Sequence, residues 1–295
     1  MSKSQHILVI GATGFTGERV LDQLAQLSPQ PKVTCLVREG TPPPQPPEGM
    51  IFTIVRGDLN NSDDLDKAML GKDGLIYVAS LGFGHAEAVV AACEKAKLKK
   101  CIFTSTTALF TKLNASSKAV RIAAEKTITN STLNWVIIRP TMIFGRKGDR
   151  NMERLVRLLK KIPVLFVPGG GKAMQQPIFV DDVAQALVKS YFSDKASCKA
   201  YNVSGKEPLS FREVVRVTGK LLKRKVFIIS LPLKPCRLLL RFYEKLSSKP
   251  RLKEEQLLRL NENKAFNHVA AKKDFGFKPQ TFEDGMANLI AELKG

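Results

Sequence analysis

The sequence predicts an α/β protein in which a doubly wound parallel sheet is followed by a small C-terminal α/β cap. Short apolar runs rich in β-branched residues alternate with amphipathic stretches through the first 140 residues, a pattern typical of βαβ units. The runs are continuously apolar, as strands covered on both faces are. The first run ends in a glycine-rich turn that leads into a helical pattern. These three observations predict the fold class.

Six strands and the helices between them are predicted in the first half of the chain. The strands are expected at 6–10, 32–37, 50–57, 74–80, 101–106 and 134–140. The helices are expected at 15–27, from near Ser62, at 85–97 and at 117–130. Right-handed crossovers place these helices on both faces of the sheet. The proline-rich segment 41–49 is expected to be a stiff surface connection, with a proline-recognition site as the alternative.

The pattern changes after residue 145. Helices are expected at 151–161, 210–223, 235–247, 252–261 and 281–293, and strands at 200–205 and 225–230. A glycine-rich loop covers 168–172, and 177–192 has the pattern of a strand that leads into a helix. We therefore predict a binding core over 1–145 and a mixed part over 146–295, which completes the core and forms the smaller cap on the substrate side.

Length and composition indicate a globular protein. The 295 residues, 44% of them hydrophobic, are enough to bury a core, and no apolar run approaches the about 18 residues of a membrane span. The first residues lack the apolar core and cleavage site of a secretory signal. Five cysteines without ligand spacing and three histidines far apart in sequence predict no metal site. A reduced, cytoplasmic protein is expected.

Positive charge is concentrated in the second half. The net charge is +20. Within 212–253 there are 13 basic and 2 acidic residues. Such a field attracts anions, which include nucleotides, nucleic acid and acidic membrane surfaces. Nucleic acid is not expected as a partner, because no recognition motif accompanies the charge.

The turn after the first strand has the sequence GATGFTG, in which Thr13 and Phe15 lie among three spaced glycines. Gly11 permits the tight turn, Gly14 lets the backbone approach a pyrophosphate, and Gly17 lets the helix pack closely on the sheet. The phosphates of a nicotinamide dinucleotide would then lie at the positive end of the helix. The alternative is an ordinary strand-to-helix turn that needs glycine.

The residues after the second strand predict which coenzyme is bound. An acid there would accept hydrogen bonds from both ribose hydroxyls and favour NAD. Here Arg38 comes first and Glu39 second. Because a guanidinium can form a forked pair with a 2′-phosphate, we predict NADP, with NAD as the second choice. The alternative is that Arg38 is a solvated loop charge.

Two further strand ends are expected to contact the dinucleotide, since open α/β sheets bind ligands at the carboxyl ends of their strands. Asp58 and Leu59 follow the third strand, where an adenine edge could be held. Asp58 could equally cap the helix that starts near Ser62. Ala79 and Ser80 end the fourth strand, and their backbone is expected to pass close to the coenzyme.

The chain resembles the short-chain dehydrogenase/reductase superfamily in its extended and atypical branches. The motifs that carry the resemblance are GATGFTG, RGDL (56–59), FTSTTA (103–108), RPTMIFG (139–145) and PIFVDDVAQAL (177–187), in the expected order. It is most similar to the atypical sugar-nucleotide-epimerase-like and NmrA-like proteins. The resemblance covers nearly the whole chain and implies a Rossmann sheet that binds NAD(P).

The resemblance also implies a hydroxyl residue after the fifth strand and a Tyr-x-x-x-Lys motif on the next helix. Thr106 matches the hydroxyl position, and Lys118 matches the lysine, which in this family hydrogen-bonds the nicotinamide ribose. Asn114 stands where the tyrosine belongs, and Phe110 is the nearby aromatic. Neither can act as a phenol acid/base, so the usual catalytic tyrosine is absent. The alternative for Lys118 is an exposed helix lysine.

Other candidates come from the neighbouring strand ends. His85 could serve as an acid, because imidazole titrates near neutrality, or it could simply begin the next helix. By resemblance, the backbone at Pro140 and Thr141 lies against the nicotinamide carboxamide, and Met142 lines the pocket. Glu125, two helical turns beyond Lys118, is expected to form a surface pair.

A polar loop is expected on the substrate side. It contributes Arg146, Lys147, Asp149, Arg150 and Asn151, and Gln175 and Gln176 follow later in the chain. Arginines here could clamp a diphosphate, as an enzyme that acts on nucleotide sugars requires. Asp181 and Asp182, at a strand-to-helix junction, are expected to cap the helix.

Two functions stay open at this point. The first is an NADP-binding oxidoreductase or epimerase that acts on a small-molecule substrate, which could be a nucleotide sugar. The second is a non-catalytic NADP-binding redox sensor or assembly factor. The retained Lys118 and Thr106 favour the first, and the missing tyrosine favours the second.

The segment 231–246 interleaves leucines and aromatics with basic residues. On a helix, Leu238, Phe242 and Leu246 share one stripe, with three basic residues nearby: Arg237, Arg241 and Lys245. A basic amphipathic helix can lie on an anionic bilayer. The favoured alternative is a cap helix that packs its apolar stripe on the core.

Overall fold

A seven-stranded parallel sheet forms the centre of the protein, as seen in a computed structural model that describes residues 5–113, 116–149, 151–247 and 253–294. Its order is β3-β2-β1-β4-β5-β6-β11, and every neighbouring pair is parallel. The strands are β1 His6–Ile10, β2 Lys32–Val37, β3 Phe52–Arg56, β4 Gly74–Tyr77, β5 Lys100–Thr104, β6 Trp135–Pro140 and β11 Lys199–Val203. The predicted fold class is confirmed.

Helices cover both faces of this sheet. They are α1 Gly17–Ala25, α2 Ser62–Met69, α3 Ala86–Lys95, α4 Ser116–Thr129, α6 Val180–Phe192 and α10 Val269–Phe275. Buried side chains of α1, α6 and α10 form one core with one face of the strands. Those of α2, α3 and α4 form a second core on the opposite face. The two cores explain why the strands are apolar on both sides.

The second half of the chain also builds a smaller part. Three two-stranded sheets pair β7 with β10, β9 with β12 and β8 with β13. Their strands are β7 Ile143–Phe144, β8 Val164–Pro168, β9 Met174–Gln175, β10 Ile178–Phe179, β12 Leu209–Ser210 and β13 Phe227–Leu231. The remaining helices are α5 Met152–Lys161, α7 Phe211–Leu221, α8 Leu233–Leu246, α9 Glu254–Leu260 and α11 Phe282–Glu292. A third core joins α5, α7 and α11.

Among the described strands and helices of at least five residues, sequence reasoning missed two, β8 and α10. The run Val164–Pro168 is short and pairs with β13, which lies about sixty residues further along the chain. The helix Val269–Phe275 has seven residues and no side-chain cap, and it is held by burial of Ala271 and Phe275. Both depend on partners that are distant in sequence.

The expectation that the helix in 231–246 packs its apolar stripe on the core is wrong. Helix α8 contains no buried residue. Its leucines and its phenylalanine at the stripe positions are more than half exposed. Within the described ranges, no helix is both long enough and apolar enough to cross a membrane.

Candidate functional site

The carboxyl ends of four neighbouring strands meet along one edge of the sheet. In order they are β1, β4, β5 and β6. Gly11 follows β1, Ala79 lies just beyond β4, and Thr106 and Thr141 follow β5 and β6. The structure therefore brings these predicted residues to one edge of the sheet, where an open α/β sheet binds its ligands. This edge is the candidate cleft.

The glycine loop has the shape of a cradle for phosphates. Gly11 has a φ of +87°, and a side chain there would put its Cβ 2.7 Å from the backbone nitrogen of Ala79. Glycine alone meets both constraints. Thr13 and Gly14 form the exposed rim of the loop, and Phe15 is half-buried. A Cβ on Gly14 would meet only the Gly11 carbonyl oxygen, at 3.2 Å, so the space above the loop is open.

Gly17 allows a close approach at the start of α1. A Cβ there would lie 2.0 Å from the Gly11 carbonyl oxygen and 2.7 Å from the Cα of Ala12. The first turn of the helix therefore lies directly against the residues that follow β1. This close packing directs the amino end of α1 at the open space over Gly14, where the helix favours an anion. The loop thus fits a pyrophosphate.

Arg38 and Asp58 lie together beyond the ends of β2 and β3. They line a second cavity of about 580 Å³, which also includes Glu39, Thr41 and Arg56. Arg56 was missed by sequence reasoning, and its Nη1 donates to the carbonyl oxygens of Arg38 at 2.9 Å and Thr41 at 2.6 Å. The Arg38 side chain is exposed, so its guanidinium faces solvent at this cavity.

Asp58 does not cap α2. Its Oδ1 accepts from the backbone nitrogen of Asn60 at 2.8 Å, and this hydrogen bond lowers the pKa of Asp58. The cap is Asn61, whose side chain accepts from the backbone nitrogen of Asp63. Leu59 is half-buried and packs on the second core.

The residues after β4 have structural partners of their own. The Ser80 hydroxyl accepts from the backbone nitrogen of Gly82 at 3.1 Å and so starts a short 3-10 turn. His85 stands at the beginning of α3 and makes no side-chain cap bond. Its ring contacts Phe83 at a centroid distance of 6.5 Å.

A cavity of about 890 Å³ lies beyond the ends of β5 and β6. Thr106, Lys118 and Thr141 all line it, and His85 is not among its described lining residues. Thr106 Oγ1 accepts from the backbone nitrogen of Ala108 at 3.2 Å. Lys118 Nζ donates to the carbonyl oxygen of Thr111 at 2.6 Å. Thr106 and Lys118 are therefore brought to the same cavity.

The backbone nitrogen and the hydroxyl of Thr141 both have hydrogen-bond partners within the protein. Its backbone nitrogen donates to the carbonyl oxygen of Val203 at 3.0 Å, and its hydroxyl donates to the carbonyl oxygen of Gln176. The Pro140 carbonyl oxygen accepts from the Thr107 hydroxyl at 3.2 Å. These groups are already paired. Thr141 therefore lines the cavity without presenting a free backbone N–H to a ligand.

Phenol groups do not reach the large cavity. The chain has four tyrosines, all in described segments, and none of them lines it. Tyr77, Tyr191 and Tyr201 are buried, and Tyr243 lies on α8. Phe110 does line the cavity. Asn114, the residue at the tyrosine position, lies outside the described residues.

Five cations and one acid line this cavity among the described residues. The cations are Lys118, Arg121, Arg154, Arg259 and Lys264. Burial and the neighbouring charge of Arg259 lower the pKa of Arg121, and burial lowers the pKa of Lys264. The acid, Glu262, is occupied by the Thr111 hydroxyl at 2.8 Å and the Lys112 backbone nitrogen at 2.8 Å. The cavity is therefore suited to an anion.

Four of these cations were missed by sequence reasoning. Arg259 and Lys264 come from α9 and the segment after it, more than 130 residues after Lys118. That segment is held beside β9, because the backbone nitrogen of Lys264 donates to the Met174 carbonyl oxygen at 2.8 Å and Gln175 Nε2 donates to the Glu262 carbonyl oxygen at 3.2 Å. No local sequence pattern predicts this contact between β9 and the segment after α9.

Polar residues of the loop before α5, which were expected to face the substrate, instead make contacts within the protein. Arg146 pairs with Glu18 in the first turn of α1 at 2.5 Å. Asp149 accepts from the backbone nitrogens of Asn151 and Met152 at 2.7 and 3.1 Å, and burial raises its pKa. Asn151 lines the cavity. Arg150 lies outside the described residues, and Lys147 is exposed.

Three other expectations about polar residues are corrected. Asp181 and Asp182 were expected to cap α6, but neither makes a cap bond to this helix. Instead, Asp181 accepts from Arg19, and Asp182 accepts from the backbone nitrogen of Gln280 at 3.1 Å. Gln176 is buried, and its Nε2 donates to the Gly205 carbonyl oxygen. Glu125 is not in a surface pair, because it is buried against Arg139.

The fold and the cleft define a dinucleotide-binding protein. A sequence profile described as NAD(P)H-binding matches residues 11–194, more than half of the chain. The chain therefore belongs to this NAD(P)H-binding family, and the predicted resemblance to extended short-chain dehydrogenases/reductases is confirmed.

Two curated relatives show the breadth of the family. The chain is 25% identical to a 2-alkyl-3-oxoalkanoate reductase of Shewanella oneidensis, over 99% of this chain and 87% of the relative. It is also 25% identical to subunit 9 of the NADH dehydrogenase [ubiquinone] 1 alpha subcomplex of Arabidopsis thaliana, over 76% of this chain. The match spans 60% of that mitochondrial subunit.

Solved structures share the fold at low sequence identity. A UDP-glucuronic acid 4-epimerase from Bacillus cereus, in complex with UDP-glucuronic acid and NAD, superposes with a TM-score of 0.74. The sequence identity is 18%, and the superposition covers 98% of this chain and 99% of the epimerase. This similarity supports the Rossmann architecture.

Proposed function

We propose that this protein is an NADP-dependent oxidoreductase or epimerase that acts on an anionic small molecule, with a nucleotide sugar as the favoured substrate class. The observation that carries the proposal is the large cavity, in which Thr106 and Lys118 lie among five cations. In this proposal residues 1–145 bind the coenzyme, and 146–295 complete the core and cover the substrate.

The roles of binding the substrate oxygen and the coenzyme ribose belong to Thr106 and Lys118. A bound coenzyme supplies the hydride acceptor or donor. The Thr106 hydroxyl holds the substrate oxygen, and Lys118 donates to the nicotinamide ribose. Lys118 spends one of its three N–H donors on Thr111, so two remain for the ribose. His85 stays a candidate acid, although it lies towards the other end of the cleft.

In this proposal the cationic side chains of the cavity favour a substrate that carries a diphosphate. No described acid pairs with Arg121 or Arg154, so both guanidinium groups keep their charge for a ligand. A diphosphate offers oxygens that guanidinium groups bind in forked geometry. The apolar lining, which includes Leu155, Leu165 and Phe211, leaves room for the less polar part of the substrate.

The proposal includes NADP as the coenzyme and the cytoplasm as the compartment. Arg38 at the adenosine end supports NADP, because a 2′-phosphate there would meet an exposed guanidinium. The glycine loop, with Thr13 and Phe15, would hold the pyrophosphate, and Asp58 and Leu59 would flank the adenine. Five free cysteines support a cytoplasmic setting, since oxidising compartments favour disulfides.

A turnover assay with the full chain tests this function. Purified protein is given NADP or NADPH with a panel of uridine- and thymidine-diphosphate sugars and small carbonyl compounds. Reduction is followed at the nicotinamide absorbance, and epimerisation by NMR of the sugar. Thr106→Ala and Lys118→Met should each lower kcat by at least about tenfold, while Lys126→Met, on the exposed side of the same helix, should not.

The second candidate is a non-catalytic NADP-binding redox sensor or assembly factor. The specific observation in its favour is that no tyrosine lines the large cavity, and the similarity to an NADH dehydrogenase subunit supports it. Tight NADPH binding without turnover of any substrate in the panel would select this function. Equal turnover by wild type and the Thr106→Ala variant would remove the proposed site.

A further inference from the structure

The outward face of α8 is apolar. Leu238, Leu239, Phe242 and Leu246 are 57%, 68%, 56% and 86% exposed. The spacing of Leu238, Phe242 and Leu246 places them on one side of the helix, with Leu239 beside them. A helix in water normally turns its apolar side inward, so α8 has the opposite orientation.

The inward side of α8 is held by a less apolar set of contacts. Leu233, Cys236, Leu240 and Glu244 are only half-buried. Glu254, at the start of α9, pairs with Arg237 at 2.9 Å and with Arg241 at 2.7 Å. These ion pairs fix which side faces the protein, and they leave the apolar stripe outside.

A second set of exposed apolar side chains lies on the small sheet that leads into α8. Strand β13 leads into α8 through Pro232 alone. Phe227 and Ile229 on this strand are 62% and 43% exposed. Ile229 stands beside Phe166 of β8 in the parallel register, and Phe166 is exposed as well. Exposed apolar patches with a polar rim mark interaction sites.

Positive charge borders this surface. Lys234 and Lys245 are exposed on the side of α8 next to the apolar stripe. The surrounding stretch 212–253 has 13 basic and 2 acidic residues. A second copy of the same face would bring like charges together, which disfavours self-association. An anionic layer with an apolar interior complements both features.

We propose that α8 and the adjoining β8–β13 face bind peripherally to an anionic lipid bilayer. The leucines and phenylalanines enter the boundary between headgroups and acyl chains, and the lysines meet lipid phosphates. Phe166 also lines the large cavity, so the docked face borders the substrate-side pocket. The proposal stands independently of the proposed enzymatic function.

Liposome flotation with the full chain tests the docking. Vesicles of phosphatidylcholine alone are compared with equal mixtures of phosphatidylcholine and phosphatidylglycerol. Wild type should float with the anionic vesicles and be released by high salt. Leu239→Ser/Phe242→Ser/Leu246→Ser and Lys234→Glu/Lys245→Glu should each reduce the bound fraction by at least about tenfold.

The matched control is Ile51→Ser/Leu70→Ser, which removes two equally exposed apolar side chains far from α8 in the chain. This control should float as wild type does. NADPH binding by each variant shows that it is folded and reports on the coenzyme site separately. The proposal is overturned if wild type does not float, if it binds neutral vesicles equally well, or if light scattering shows a dimer that the leucine variant dissociates.

Discussion

Arg19 on α1 binds the carboxylate of Asp181 on α6 through two nitrogens, Nε at 2.5 Å and Nη2 at 3.0 Å. The next residue, Asp182, has no such partner. Its carboxylate is buried, and within the described part of the chain it accepts only from the backbone nitrogen of Gln280. Adjacent residues of the same type therefore meet opposite environments, and their contributions to stability should have opposite signs.

Asp182→Asn should stabilise the protein at neutral pH. Burial raises the pKa of Asp182 to about 6, above the about 3.9 of an unfolded aspartate. The folded state therefore binds the proton more tightly, and its stability falls as pH rises between these values. At pH 7.5 the substitution should add at most about 3 kcal/mol to the free energy of unfolding. Urea unfolding at several pH values measures it.

The neighbouring Asp181→Asn is the control for this prediction. It removes a charge that Arg19 binds at the partly exposed surface, so it should cost up to about 1 kcal/mol at neutral pH. The gain from Asp182→Asn should disappear below about pH 4. A gain that is equal at pH 4 and pH 7.5 would contradict the burial argument.

Gly14→Ala and Gly17→Ala should separate coenzyme binding from folding. A methyl group on Gly14 projects into the open space above the loop, so NADPH affinity should fall by at least about tenfold while Tm changes little. A methyl group on Gly17 would collide with the Gly11 carbonyl oxygen at 2.0 Å, so both affinity and Tm should fall. Fluorescence titration and thermal unfolding measure the two effects. Equal affinity for wild type and Gly14→Ala would refute the pyrophosphate site.

Arg38→Ala should weaken NADPH binding selectively. Loss of a charge-assisted bond to the 2′-phosphate costs about 1.5–3 kcal/mol, or about 10- to 100-fold in Kd. NADH affinity should not change. Arg56→Ala is the comparison, because Arg56 positions the loop through the Arg38 and Thr41 carbonyl oxygens and should weaken both coenzymes. Calorimetry measures each Kd. Tighter binding of NADH than NADPH by wild type would exclude the NADP preference.

Glu125→Gln should be strongly destabilising. Arg139 Nη2 lies 2.5 Å from Glu125 Oε2, and its Nε lies 3.0 Å from Oε1. The two side chains are 20% and 10% exposed, so the substitution leaves a largely buried guanidinium without its countercharge. The expected loss is about 3–5 kcal/mol. Glu283→Gln, which breaks an exposed pair with Lys220, should cost less than about 1 kcal/mol. Similar losses for both in urea unfolding would contradict the burial argument.

Local sequence signals predicted the strands whose ends form the candidate site. The strands β1, β2 and β6 lie within a residue of their predicted bounds, because apolar runs between turn signals mark central parallel strands. Strand ends then locate the ligand edge without knowledge of packing. The glycine loop and the hydroxyl of Thr106 follow from this rule.

The substrate side could not be predicted in the same way. Arg259 and Lys264 reach the cavity because the segment after α9 pairs with β9, and such long-range pairing leaves no periodic signal. Helix α8 shows the same limit. Its amphipathic pattern specifies a stripe, but only the folded structure, in which Glu254 pairs with Arg237 and Arg241 on the opposite side, shows which side faces water.

The sequence by itself determined the class of protein: its hydrophobic periods specify a parallel sheet, and its spaced glycines specify a phosphate loop. Only the tertiary structure decided which charges share a cavity, which aspartate is paired and which face of α8 is left open. The physical reason is that periodicity and turn chemistry act over a few residues, whereas burial and ion pairing depend on neighbours that folding brings together from distant parts of the chain.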